Sequence, residues 1–428
     1  MHSMPPRLRL AAVAAALAAT LSALLVPTAA SAAPMVQADS YSLGAAEPFT
    51  PAAGAGILAN DVEVDIPGRF ISISTRPMHG KLTLPDNSGA FTYTPDLGFV
   101  GADRFVYCVS LGAACVTNEA TVTLDVVAHV VRIGAADRFA ESAAISASRF
   151  AAGVAVAYVA SGQVFPDALS AGPAAGAIGS PVLLVTKDAI PDSIQQELAR
   201  LAPKKIIVLG GVNTISVSVQ NELRALTGAV TRYDGADRYE VSAKISANTF
   251  RPGLPAVYIA SGEVFPDALS ASAAAGLNRG PVLLVSKDAV PQVIADEVGR
   301  LKPVRIVVLG GVNTVSDAVV ARLDVIAPAT RTTGADRYEV SANTAAGAFI
   351  FPKGVVFIAS GEVFPDALSG SPAAITRAAP VLLVSKNSIP ASVEAQLARL
   401  TPGRIVVLGG PNSISTQVEA QLATYLAK

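Results

Sequence analysis

Between residues 34 and 128 apolar and polar side chains alternate in short runs broken by Gly, Pro, Asn and Asp, as in Lys81-Leu82-Thr83-Leu84, Phe91-Thr92-Tyr93-Thr94 and the run from Thr121 to Val126. A period of two with such punctuation predicts an antiparallel β-sandwich. From Val130 onward the pattern changes. Continuous apolar runs alternate with segments of helical period, beginning with a short strand near 130–133 and a helix over 138–150. A strand over 155–160, a helix from Pro166 through an Ala- and Gly-rich stretch, and a strand over 182–186 follow. A helix near 192–201, a strand over 205–209 and a helix over 216–226 complete the set. Ile194, Leu198 and Leu201 share one helical face, as do Val219, Leu223 and Leu226. Apolar strands alternating with amphipathic helices imply a parallel sheet covered on both faces.

The same succession occurs three times. Asp137-Arg138, Asp237-Arg238 and Asp336-Arg337 open the copies, SGQVFPDALS from Ser161 returns as SGEVFPDALS from Ser261 and Ser360, and PVLLV begins at Pro181, Pro281 and Pro380. IIVLGG from Ile206 returns as IVVLGG from Ile306 and Ile405. Copies of about 100 residues exceed solenoid periods and are large enough to be domains. The expected organisation is a leader over 1–33, a sandwich over 34–128 and α/β copies over 129–229, 230–328 and 329–428.

The leader reads as a secretory signal. Arg7 and Arg9 flank an apolar stretch from Leu10 to Val26, and Ala30-Ser31-Ala32 forms an A-x-A cleavage site. An uncleaved anchor is the competing reading, because the stretch approaches spanning length; no later run does, so no membrane span is expected after cleavage. An exported chain gives the only two cysteines, Cys108 and Cys115, an oxidising compartment. Both lie in one expected hairpin, where a cross-strand disulfide is the simplest reading and two free buried thiols the other.

Composition removes several functional classes. An apolar fraction of 51% with 15% charged residues excludes a disordered chain, and the absence of Trp argues against a sugar site built on Trp platforms. Three His and two Cys leave little room for zinc. There is no G-x-S-x-G, H-E-x-x-H or P-loop, so neither an enzyme nor a cofactor is expected, and no nucleic-acid partner. Asp61 and Asp65 raise calcium, which needs six to eight oxygens, but Arg69 stands where a further acid would be needed; solvated loop carboxylates are the simpler account.

In a parallel α/β unit the loops after the strands share one edge, where ligands usually bind. Arg138, Arg238 and Arg337 fall there and suit bidentate recognition of phosphate or carboxylate, with an interdomain salt bridge as the alternative. Lys187, Lys287 and Lys386 offer point charges. Asp137, Asp237 and Asp336 are either site residues or helix N-caps. Asp167, Asp267 and Asp366 follow a proline suited to a first helical turn, and either orient the arginines or accept sugar hydroxyls.

Taken together and in order, the GADRY/F, SGxVFPDALS, PVLLV and VLGGxN[TS][IV]S motifs resemble the cell wall-binding repeat type 2 family over residues 130–428. The resemblance implies a bacterial surface protein held non-covalently on an anionic secondary wall polymer, teichoic-acid-like or polysaccharide. It also implies three α/β domains with parallel sheets around a pseudo-threefold axis, and binding through the DR pairs, the FPDALS loops and the PVLL strand ends. Ser142, Ser242 and Ser341 depart from the threonine more usual in that family. Residues 34–128 resemble bacterial Ig-like or cadherin-like domains, on GILAND from Gly56, HGKL from His79 and FTYTPDLGFVGADRFVYCVS from Phe91. Charge fits a division of labour only weakly: residues 129–428 carry 26 Lys and Arg against 23 Asp and Glu, residues 34–128 carry 4 against 10. Two other functions compete. One is an adhesin whose sandwich grips an outside partner; the other is a wall-remodelling accessory or hydrolase, disfavoured because His79 and His129 are the only histidines beyond the leader.

Overall fold

The computed structural model describes residues 33–350 and 354–428; residues 1–32 of the proposed leader lie outside the described residues. The sandwich segment forms a sheet with strands Asp39–Gly44, Ala120–Val127, Gly101–Leu111 and Arg69–Thr75 in spatial order, and the short strand Ala114–Cys115 pairs with Gly101–Leu111. A second layer is the hairpin Gly80–Thr83 with Thr92–Pro95. Phe91, Tyr93, Phe105, Tyr107 and Leu124 are fully buried between the layers. Cys108 and Cys115 are disulfide-bonded. One strand differs from the antiparallel expectation: Asp39–Gly44 runs parallel to Ala120–Val127. No hairpin joins these two strands, so no short turn dictates their relative direction.

The remainder contains three four-stranded, wholly parallel sheets. In the first, an edge strand Val182–Val185 pairs with the central strand Val156–Ser161, which pairs with Lys205–Leu209. The fourth strand is Val230–Tyr233, which in sequence opens the second copy. Likewise Ala329–Thr332, opening the third copy, completes the second sheet beside Ile306–Leu309. His129–Ile133, opening the first copy, crosses to the third sheet and pairs with Arg404–Leu408. Each sheet therefore takes its last strand from another copy, and the three are linked in a closed ring. The sequence reading grouped each opening strand with the helix after it, because hydrophobic pattern identifies a strand but not its partner.

An arginine on each donated strand fastens it. Arg132 donates to the Gly409 carbonyl at 2.5 Å and to Glu419 Oε2 at 2.9 Å. Arg232 donates to the Gly210 carbonyl and Gln220, and Arg331 to the Gly310 carbonyl and Asp317. The edge strands are closed in another way. The hydroxyls of Ser142, Ser242 and Ser341 accept the N–H groups of Leu184, Leu284 and Leu383 at 3.0–3.2 Å, satisfying amides at the outer side of each PVLLV strand.

The pseudo-threefold axis is built from the segments after FPDALS. Helices Ala171–Ala177, Pro266–Leu277 and Pro365–Ile375 pack against one another. At one end Phe165, Phe265 and Phe364 form a triangle of rings with centroids 5.6–6.1 Å apart. One layer further, Gly172 lies against Ser272 and Ser371. The next layer departs from symmetry: Gly176 and Gly276 face Ile375, and a Cβ on Gly276 would lie 2.5 Å from Ile375 Cδ1. One large residue thus fills a centre that two glycines leave open. Gly276→Val is expected to destabilise the ring by about 1–3 kcal/mol through overpacking. Chemical denaturation should show part of that loss recovered when Ile375→Ala is added.

Other helices place the apolar residues as their spacing predicts, with Ile194, Leu198, Leu201, Val219 and Leu223 buried. Leu226 is an exception; it is 49% exposed near the end of helix Val217–Thr227. The sandwich is tied to the third sheet. Arg377 donates to Glu47 Oε1 at 2.6 Å and also to the Ala46 carbonyl, and Arg404 pairs with the same glutamate. The His129 ring sits against Gly44. Among the described residues no helix is long and apolar enough to cross a membrane.

Candidate functional site

The DR pairs begin the helices Arg138–Arg149, Arg238–Thr249 and Arg337–Ala348. Asp137, Asp237 and Asp336 cap them: one carboxylate oxygen of each accepts two backbone N–H groups, at 2.8–3.0 Å. In the second and third copies Glu240 and Glu339 reach back to the N–H of Ala236 and Ala335. These acids are occupied by the backbone.

Each arginine beside a cap is pinned by a single contact. Arg138 Nη1 donates to the Gly162 carbonyl at 2.6 Å, Arg337 Nη1 to Gly361 at 2.6 Å, and Arg238 to Gly262. The side chains thereby bend over the SG turn of their own copy. Phe139, Tyr239 and Tyr338 pack on the same glycines, leaving no space for a Cβ there; on Gly162 it would lie 2.6 Å from the Phe139 ring. No carboxylate forms a salt bridge with these arginines among the described residues, so the interdomain-salt-bridge alternative finds no contact there.

Asp267 and Asp366 are 5% exposed, whereas Asp167 is half-buried. They sit beneath the glycine turns of the LGG segments, where Gly210, Gly310 and Gly409 have φ of 94–101°. Asp167 accepts from Thr214 at 2.9 Å, and Thr314 lies 3.5 Å from Asp267. Burial pushes Asp267 and Asp366 upward from the usual carboxylate range. The hydroxyls of Thr314 and Ser413 nearby oppose this, as do the charges of Arg337 and Arg138. Those arginines belong to the next copy round the ring, 2 to 3 and 3 to 1. Each boundary so described holds a buried aspartate from one copy facing an arginine from the next.

Lys187, Lys287 and Lys386 follow the edge strands and are exposed, without ion pairs among the described residues. Their backbone N–H groups donate to Gln163, Glu263 and Glu362 of the SG loops, which brings each lysine loop beside the arginine turn. The FPDALS loops suit a turn-and-packing role as well as a binding one, and their phenylalanines are the hub of the ring. Sequence reading missed one set of residues here. Arg132, Arg232 and Arg331 hold the donated strands; their recurrence at one offset before each DR pair was the available signal.

In the sandwich, Arg69 donates to Asp65 at 2.6 Å, and Asp61 accepts from the Gln37 N–H at 2.7 Å and from Tyr107. Both acids considered for calcium are thus engaged by protein donors. Asp39 beside them is pushed up to about 6, by burial first and by Asp61 second.

Comparison with known proteins agrees with this architecture. The family model for cell wall binding domain 2 matches residues 132–220, 232–320 and 331–419, and that for the bacterial cadherin-like domain matches 31–128. Among solved structures, Cwp6 from Clostridium difficile is similar at a TM-score of 0.67 and 21% identity, over 92% of this chain and 68% of that one. Cwp8 from the same organism is similar at 0.63 and 20% identity, over 91% and 68%. Two curated relatives are from Bacillus subtilis (strain 168). An amidase enhancer is 29% identical over 53% of this chain and 30% of its own length. The N-acetylmuramoyl-L-alanine amidase LytC is 25% identical over 60% and 50%. The chain therefore spans a third to a half of those two relatives. With three matched repeats over more than half its length, it belongs to the cell wall binding domain 2 family and is a secreted protein of the bacterial cell wall and surface.

Proposed function

We propose that the ring holds the protein on the wall by binding an anionic secondary polymer at the boundaries between copies. The observation that carries this reading is the state of Arg138, Arg238 and Arg337. Each is positioned by one nitrogen on a glycine carbonyl, while its other guanidinium donors have no acceptor among the described residues. A fork held in place yet incompletely paired is suited to phosphate or carboxylate. Exposed lysines beside it add attraction, and behind Arg138 and Arg337 a buried aspartate of the preceding copy adds negative charge. Three such places on one rigid ring offer avidity for a repeating polymer when its spacing matches.

The amidase names of the two relatives belong to longer chains, of which this chain spans a third to a half. A non-catalytic role is the reading we favour, with the sandwich as a rigid attachment on the third sheet. Binding of the full chain to purified walls, before and after removal of their anionic polymer, tests it. Binding is expected to fall steeply on stripped walls and to weaken with added salt. Equal retention on both would exclude the polymer, and measurable peptidoglycan cleavage would exclude the non-catalytic reading.

A further inference from the structure

The boundary between the third and first copies carries an acid that the other two lack. After the cap in copies two and three, Glu240 and Glu339 are followed by Val241 and Val340, which are 1–2% exposed. In the first copy the order is displaced by one. Ala140 takes the glutamate position, and Glu141 takes the position of the buried valines at 4% exposure. Its Oε1 has no hydrogen-bond partner among the described residues, and neither has Oδ2 of Asp366.

Both carboxyls lie by the Gly409 turn. A Cβ on Gly409 would lie 2.6 Å from Asp366 Oδ2, and the backbone groups of Gly409 and Ala135 act on Glu141 in favour of its ionised form, against burial. The other groups nearby are few. Arg132, from the donated strand, faces Glu141 but is already paired with Glu419. Arg138 and Ser413 face Asp366. Two buried carboxylates at one turn, each faced by a different arginine, are costly when both are ionised, and a single retained proton relieves them.

We propose that the buried, unpartnered Glu141, with Asp366 beside the same turn, is a proton-dependent latch at the ring-closing boundary, which holds the first and third copies together while Glu141 is protonated and loosens them when the proton leaves. Burial, and after it the charge of Asp366, pushes Glu141 up to about 8, far above its ordinary 4.5. A folded-state value raised in this way gives no penalty below about 4.5, where folded and unfolded chains both keep the proton. Stability is then lost progressively as pH rises from 4.5 to 8, because the unfolded chain releases the proton first. Fixed anions of a wall concentrate protons locally and would keep the latch closed, a consequence that rests on the polymer reading; the latch itself does not.

The test therefore uses no polymer. Thermal unfolding of the full chain is followed from pH 5 to 9 for wild type, Glu141→Gln, Glu141→Val and Asp366→Asn. Glu141→Val installs the residue that copies two and three carry, so it is expected to fold. Wild type is expected to lose on the order of 2–4 °C more than Glu141→Val across this range, with Glu141→Val the more stable at pH 9. Hydrogen exchange should place the loosening at the amides of His129–Ile133 and Arg404–Leu408. Parallel pH profiles for wild type and both Glu141 variants would overturn the latch, and so would a pH-dependent loss that leaves exchange of the donated strand unchanged.

Discussion

A chain carrying Arg138→Gln, Arg238→Gln and Arg337→Gln together is expected to bind purified walls on the order of a hundredfold or more weakly than wild type, with a shallower salt dependence. Each arginine meets solvent with donors that no protein acceptor takes up. A hydrogen bond to a charged group contributes about 1.5–3 kcal/mol, roughly tenfold or more in affinity at each place. On a polymer that engages several boundaries at once, such losses compound, because weakening one place also reduces the gain from tethering. The three single replacements should each give a smaller, graded loss. Circular dichroism and unfolding temperature provide the necessary control, since every one of these arginines also bridges its helix to an SG turn. Unchanged binding with unchanged fold would restrict them to that bridging role.

The second large effect concerns the donated strand. A fragment beginning at residue 129 should retain the closed ring, whereas one beginning at 134 should lose about 3–6 kcal/mol and expose the third sheet. Removing His129–Ile133 deletes five paired register positions beside Arg404–Leu408 and the bonds of Arg132 to Gly409 and Glu419. A net contribution of roughly 0.5–1.5 kcal/mol for each ladder bond, and more for the charged ones, sums to that range. Strand Arg404–Leu408 would then become an unprotected edge, open to pairing between molecules. Size-exclusion chromatography and amide exchange distinguish the two fragments. Identical behaviour would mean that the third sheet stands without its fourth strand.

Much of this fold was legible in residue order. The sandwich segment, the threefold repetition and nearly every strand and helix of the α/β copies follow from hydrophobic period and recurring motifs. Partnership between elements was not. Val130–Ile133 looks the same whether it completes the first sheet or the third, because an apolar run carries no address. Leu226 fits the buried helical face in spacing, yet the helix ends there and leaves it in solvent. The site shows the same division. The charged positions were identifiable, and the N-cap reading of Asp137, Asp237 and Asp336 was available from their residue type, but the burial of Asp267 and Asp366 depends on where the turns lie. Glu141 is the clearest case. Its displacement by one residue is visible against Glu240 and Glu339, but its meaning comes from a strand crossing that brings copy one to copy three.

Closing the ring by strand exchange also sets the arithmetic of the family member. An open array of repeats can lengthen or shorten one unit at a time, because each unit touches only its neighbours. Here the last sheet awaits the first strand, and the three phenylalanines and the single Ile375 leave a centre sized for three. A duplication that added a fourth copy would find neither a free edge nor a place at the axis. Evolution of such a chain is therefore expected to vary the loops, the charges and the attached domains while the number of copies stays at three.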